Sequence, residues 1–112
     1  MDWEEDHAEN WDANNLLCKL RTWQTSDISL GPTYQGNFMM ALKSIKAKSI
    51  LMACTQDLYF PPEDNAIEAS HMTNVEFRPF DSPFGHCAAN PGNDKGFTSA
   101  LEDGLRQLLG EK

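Results

Sequence analysis

Ser49-Ile50-Leu51-Met52-Ala53-Cys54-Thr55-Gln56-Asp57-Leu58-Tyr59-Phe60-Pro61-Pro62 is the stretch that decides how this chain folds. From Ser49 to Cys54 polar and apolar residues do not alternate, which predicts a strand covered on both faces, as in a parallel sheet. Asp57 stands just past the end of that run. Pro61 and Pro62 then stop the strand, and Pro62 suits the first turn of a helix predicted through Met72. Glu63 and Asp64 favour the positive end of that helix. Val75 to Phe80 reads as a second, weaker strand, with Pro79 marking an edge position. Asp81-Ser82-Pro83-Phe84-Gly85-His86 opens a loop that runs to Asn93 and is rich in Pro, Gly and Asn. Strand, helix, strand implies a parallel pair joined by a right-handed crossover.

Outward from this unit the chain is helical. Ala13, Leu16, Leu17, Leu20 and Trp23 recur at helical spacing, which predicts an amphipathic helix over Asp12 to Gln24. Thr25 to Gln35 reads as a loop broken by Gly31-Pro32. A short helix is predicted from Asn37 to Lys46, with Phe38, Ala41, Leu42 and Ile45 on one side. The clearest helix runs from Asp94 to Leu109, where Phe97, Ala100, Leu101, Leu105, Leu108 and Leu109 form one stripe and Gly110 ends it. The expected fold class is therefore α/β, with two parallel strands and about four helices. Residues 1–11, crowded with Asp2, Glu4, Glu5, Asp6 and Glu9, read as an acidic, flexible N-terminus. Residues 12–112 read as a single domain.

The chain has 112 residues, 40% hydrophobic and 23% charged, which suits one globular domain and argues against wholesale disorder. Its net charge of −8 repels phosphate backbones, so nucleic acid is not an expected partner. No apolar run is long enough to span a bilayer, so no membrane role is expected. Cys18, Cys54 and Cys87 are odd in number and widely spaced, which suggests neither a disulfide framework nor a zinc site. With no visible signal peptide, a reducing, cytoplasmic setting is the expectation.

Two residues carry candidate chemistry. Asp57, at the end of one strand, and His86, in the loop after the next, occupy the last two places of a Ser, Asp, His chain order. In such a triad the acid fixes the imidazole tautomer, and the imidazole moves the nucleophile's proton. No Gly-x-Ser-x-Gly elbow occurs in these residues, so Ser26, Ser29, Ser44, Ser49, Ser70, Ser82 and Ser99 are poor nucleophile candidates. His7 and His71 have no partner at ligand spacing and read as surface residues. Cys54 reads as a buried small hydrophobe. Cys87 directly follows His86, but neighbours on an extended loop tend to point apart. Trp3, Trp11 and Trp23 read as helix packing or partner contacts, and Met39, Met40 and Met52 as core or interface filler.

The stretch Thr55 to Glu63 resembles the acid-bearing segment of homoserine O-acetyltransferase-like α/β hydrolases, and Asp81 to His86 resembles their histidine segment. Tyr34-Gln35-Gly36-Asn37-Phe38, Ala41-Leu42 and Ile45 resemble the segment before the acid strand. The helix around Leu16 to Trp23 followed by Asp27-Ile28-Ser29 matches their layout too. The resemblance runs from Asp12 onward and makes the chain look like the C-terminal part of such a protein, without the nucleophile-bearing part. It implies Asp57 as triad acid and His86 as general base, in acyl transfer through an acyl-serine. Acetyl-CoA would be the acyl donor, and homoserine the acceptor, if the family activity is retained; no other cofactor is implied. This chain reads Cys87-Ala88-Ala89-Asn90-Pro91 after the histidine, where homoserine acetyltransferases carry an acidic residue. That departure fits a broader acetyltransferase-like branch.

Two strands alone make a poor sheet. The free edge of strand 49–54 is expected to be covered by a second copy of the chain, by a complementing hydrolase chain, or by the N-terminal helix. The homodimer is the preferred expectation, because so short a chain benefits from extra burial. Three functions stay open on the sequence. The chain is a catalytically inactive interaction or structural module, an acyltransferase or esterase completed by a chain that supplies the serine, or a small-ligand binding protein.

Overall fold

The computed structural model describes residues 3–90 and 92–110, with only the backbone for Trp3, Glu4 and His7. The elements run α1 Trp3–Asn10, α2 Ala13–Thr25, α3 Phe38–Lys43, β1 Ser49–Leu51, α4 Pro62–His71, β2 Val75–Phe77 and α5 Lys95–Leu109, with a 3-10 turn at Gly85–Ala89 before α5. Each predicted element is present. One helix was not foreseen: α1 lies where the sequence predicts a flexible acidic terminus. Asn10 Nδ2 donates to Asp6 Oδ1 at 2.8 Å one turn back along it. Among the described residues that makes five α-helices, where the sequence predicts about four.

Short polar side chains start the helices. Asp12 accepts from the amides of Asn14 and Asn15 at 2.9 and 3.1 Å and opens α2. Asn37 accepts from Met40 at 2.9 Å and opens α3, and Asp94 accepts from Phe97 at 3.0 Å and opens α5. Such caps satisfy amides that have no partner within the helix. No side chain caps α4; Pro62 in its first turn supplies preset geometry instead. Gly110, at φ +73°, closes α5 in the left-handed conformation.

β1 and β2 pair in parallel, Ser49 opposite Val75 and Leu51 opposite Phe77. Regular pairing is shorter than predicted, but an isolated parallel bridge joins Cys54 to Phe80 further along. The amides of Arg78 and Phe80 donate to Leu51 and Ala53 at 2.8 and 2.9 Å. Donors facing β1 are therefore the even-numbered residues of that strand. Pro79, which has no N–H, faces away from β1 and costs the ladder nothing. That is the edge position its sequence predicts.

Cover of β1 is thinner than the unbroken apolar run predicts. Ala53 and Cys54 are buried, but Ile50, Leu51 and Met52 are only half-buried. α5 lies close to β1 at Gly104, where an added Cβ would stand 3.5 Å from Ile50 Cδ1. Among the described residues no strand pairs with β1 on the side away from β2. α2 buries none of its residues, and it meets the rest of the chain where the Trp23 ring packs on Tyr59 and Phe60. Met39 and Met40, expected as filler, are exposed.

Candidate active site

Asp57 is set by the turn that follows the Cys54 bridge, its amide donating to the Cys54 carbonyl at 3.1 Å. The chain then curls around its carboxylate. The Tyr59 and Phe60 amides donate to Oδ1 at 2.7 and 2.9 Å. The other oxygen, Oδ2, lies 3.0 Å from His86 Nδ1. Both carboxylate oxygens are thus engaged, and Asp57 is 8% exposed. Burial pushes the carboxyl pKa up. The Phe60 amide, the His86 ring and the Tyr59 amide together outweigh it and hold Asp57 below its ordinary value. An ionised carboxylate only accepts hydrogen bonds, so Nδ1 carries a proton, and in the neutral ring Nε2 is then the nitrogen with the lone pair. That is the tautomer a general base needs.

His86 sits in the first 3-10 turn after β2, one residue past Gly85. Gly85 has φ +52°, and an added Cβ would stand 3.0 Å from the Gln56 carbonyl oxygen. Close approach and positive φ both demand glycine here. Polar side chains fasten the two loops to each other. Thr55 Oγ1 bonds Asp81, and Gln56 Oε1 accepts from the Ser82 amide at 2.8 Å. Ser82, 1% exposed, donates a hydrogen bond from its hydroxyl to the Asp94 carboxylate at the start of α5. The histidine loop is thereby tied both to the acid loop and to α5.

Aromatic rings surround the imidazole. Tyr59 and Phe60 stand 4.8 and 5.1 Å from the His86 ring, centroid to centroid. Trp23 from α2 packs on both of them at 5.5 and 5.7 Å. A concavity of about 360 Å³ lies between the sheet and α5, with Asp57 and His86 at its polar end and Ile50, Met52, Phe97 and Leu101 among its apolar lining. The pair projects beyond the carboxyl ends of the strands, where open α/β sheets place their sites.

The structure brings the two sequence-predicted residues together. Sequence reasoning missed Gln56, Ser82 and Asp94 as loop ties, and Tyr59, Phe60 and Trp23 as neighbours of the ring. An aromatic pair two and three residues after the acid was the available signal for two of them. Among the described residues no serine hydroxyl is hydrogen-bonded to His86, whose side-chain partner is Asp57. The hydroxyls of Ser26, Ser29, Ser44, Ser49, Ser70 and Ser82 all bond elsewhere. Cys87 is exposed and unpaired with another cysteine, and Cys54 is buried as expected.

An acetylester hydrolase from Corynebacterium glutamicum superposes with a TM-score of 0.79 and 25% identity, over 96% of this chain and 32% of that one. The chain is one portion of an α/β-hydrolase fold. This α/β-hydrolase portion is 36% identical over 98 residues to an ethyl acetate hydrolase from Pseudomonas veronii, covering 88% of this chain and 27% of the relative. It is 35% identical over 102 residues to a homoserine O-acetyltransferase from Haemophilus influenzae, covering 87% and 27%. It therefore spans about a quarter of the length of these relatives. No family model matches it. Among the described residues, no helix is long and apolar enough to cross a membrane.

Proposed function

We propose that this α/β-hydrolase portion supplies the acid and the base of a serine-dependent acyl-transfer site, and that it is inactive without a segment bearing the nucleophile. The contact of 3.0 Å between His86 Nδ1 and Asp57 Oδ2 carries the reading. With Nδ1 engaged, Nε2 is the nitrogen that takes a proton. A serine hydroxyl supplied from outside these residues would lose its proton to Nε2 as its oxygen attacks an ester carbonyl. The same proton then passes to the departing alcohol, leaving an acyl-serine. Attack by water gives hydrolysis, and attack by an acceptor hydroxyl gives transfer. The names of the relatives differ in that second step and share the acetyl group. Acetyl esters are thus the proposed substrate class, with acetyl-CoA as donor only in the transfer variant.

The test is hydrolysis of p-nitrophenyl acetate. The chain alone should turn over no faster than free imidazole at the same concentration. Co-expressed with the serine-bearing remainder of a related acetylester hydrolase, it should gain turnover that His86→Ala lowers by about 100-fold or more. Turnover by the lone chain that disappears with His86→Ala would refute inactivity. Complemented turnover indifferent to His86 would refute the whole reading.

A second reading concerns the open edge of β1. Among the described residues the strand has one partner, and its outer side offers backbone groups of an uncharged sequence that no strand pairs. Such edges associate. Without the complementing segment, a second copy of this chain is the proposed occupant, making the portion an interaction or structural module. Cys18, Cys54 and Cys87, none of them in a disulfide, suit a reducing, cytoplasmic setting for it.

A further inference from the structure

A half-exposed imidazole with one hydrogen bond is poorly restrained. Contact at Nδ1 fixes one atom, while the ring still rocks about the Nδ1 to Oδ2 line, and the terminal torsion of histidine is intrinsically broad. The structure holds His86 in other ways. Tyr59 and Phe60 meet its ring at 4.8 and 5.1 Å with interplanar angles of 55° and 52°. They also meet each other edge to face at 5.1 Å and 77°. Tilted and edge-to-face contacts at these spacings are favourable ring geometries. Behind them stands Trp23, against both rings. The backbone amides of the same two residues hold Asp57 Oδ1 at 2.7 and 2.9 Å.

We propose that Tyr59 and Phe60 form a clamp that positions both members of the acid–base pair, the acid through their amides and the base through their rings, with Trp23 joining the clamp to α2. The proposal rests on the reading of Asp57 and His86 as that pair. The three aromatic residues are positioning residues. Because amide and ring act on different partners, substitution separates them. Changing a side chain removes the ring and leaves the amide in place. Leu58, between the acid and the clamp, is 96% exposed and takes no part.

The experiment is NMR relaxation of the His86 ring Cε1–Hε1 group in the chain as it stands, at a pH where the ring is neutral. The wild-type ring should be as ordered as rigid backbone, with an order parameter near 0.85. In Tyr59→Ala/Phe60→Ala it should fall below about 0.6. Tyr59→Phe, which keeps the ring and drops the hydroxyl, should match wild type. Trp23→Ala should loosen the ring partly, with the helix signal of α2 retained. A double variant with His86 as ordered as wild type overturns the clamp. Should the double variant fail to fold, Tyr59→Leu decides by the same reading: it fills space without a ring, so undiminished order at His86 overturns the proposal. No turnover is measured, so failed complementation would refute the acid–base reading alone, and an unchanged ring would refute the clamp alone.

Discussion

At the scale of single residues, Gly85 is the most constrained of the described glycines. Its positive φ is strained for any L side chain, and the Gln56 carbonyl leaves a Cβ no slack. Gly85→Ala should destabilise the chain by about 1–3 kcal/mol. Urea unfolding followed by circular dichroism reads this, and a loss near zero would mean that the loop relaxes freely. Asp57 makes a pH prediction. Its carboxyl is held below the ordinary value, so between the folded and unfolded values the unfolded chain binds more protons. The stability it contributes is fully present above the unfolded value, about 4, and is lost as pH falls through the lower folded value. Asp94, held down first by the Ser82 hydroxyl, and Asp27, held down first by the Ser29 hydroxyl, act in the same direction. The unfolding temperature should be level from about pH 7 to 5 and drop below about pH 4, and Asp57→Asn should make that drop shallower. An equal drop in both proteins would place the acid sensitivity elsewhere.

At the scale of elements, the histidine loop owes its position to α5. Ser82 is buried, and its hydroxyl reaches the Asp94 carboxylate that also caps the helix. Ser82→Ala removes that donor and leaves the carboxylate facing a methyl group. The expected cost is about 1–3 kcal/mol in urea unfolding, with the amide signals of Gly85 to Ala89 shifting along with those of Lys95 to Thr98. A perturbation confined to one side of the link would show that loop and helix are independent. α2 behaves differently. It is capped by Asp12 but has no buried residue. Its apolar stripe was legible as a helix, whereas what the stripe faces was not. Periodicity reports which side of a helix is apolar and says nothing about what lies against it.

At the scale of the molecule, the chain is expanded. Its radius of gyration is 17.0 Å, against about 13 Å for a compact domain of this length. Among the described residues the buried apolar ones are Ala41, Leu42, Ala53, Cys54 and Ala88, mostly small, while Leu17, Leu20, Trp23, Leu105 and Leu109 are exposed. Apolar surface on this scale marks association. Light scattering after size exclusion at micromolar concentration should give about twice the 12.6 kDa chain mass. Because each copy carries a net charge of −8, added salt should screen the repulsion and strengthen the dimer. A monomer at every salt concentration would remove self-pairing at β1.

The order of elements from α2 onward, the parallel crossover, and Asp57 and His86 as the residues with chemistry to offer are all legible in the amino-acid sequence. These are local properties. Apolar period, caps, prolines and chain order are all written in neighbouring residues. Tertiary packing brings the acid and base to 3.0 Å. It also decided that Gly85 lies against Gln56, that Ser82 reaches Asp94, and that a tryptophan from α2 closes on the rings beside the imidazole. Each of those contacts joins segments far apart along the chain, and their meeting depends on how the strands pair and how the helices lie on them. No window of sequence contains that information.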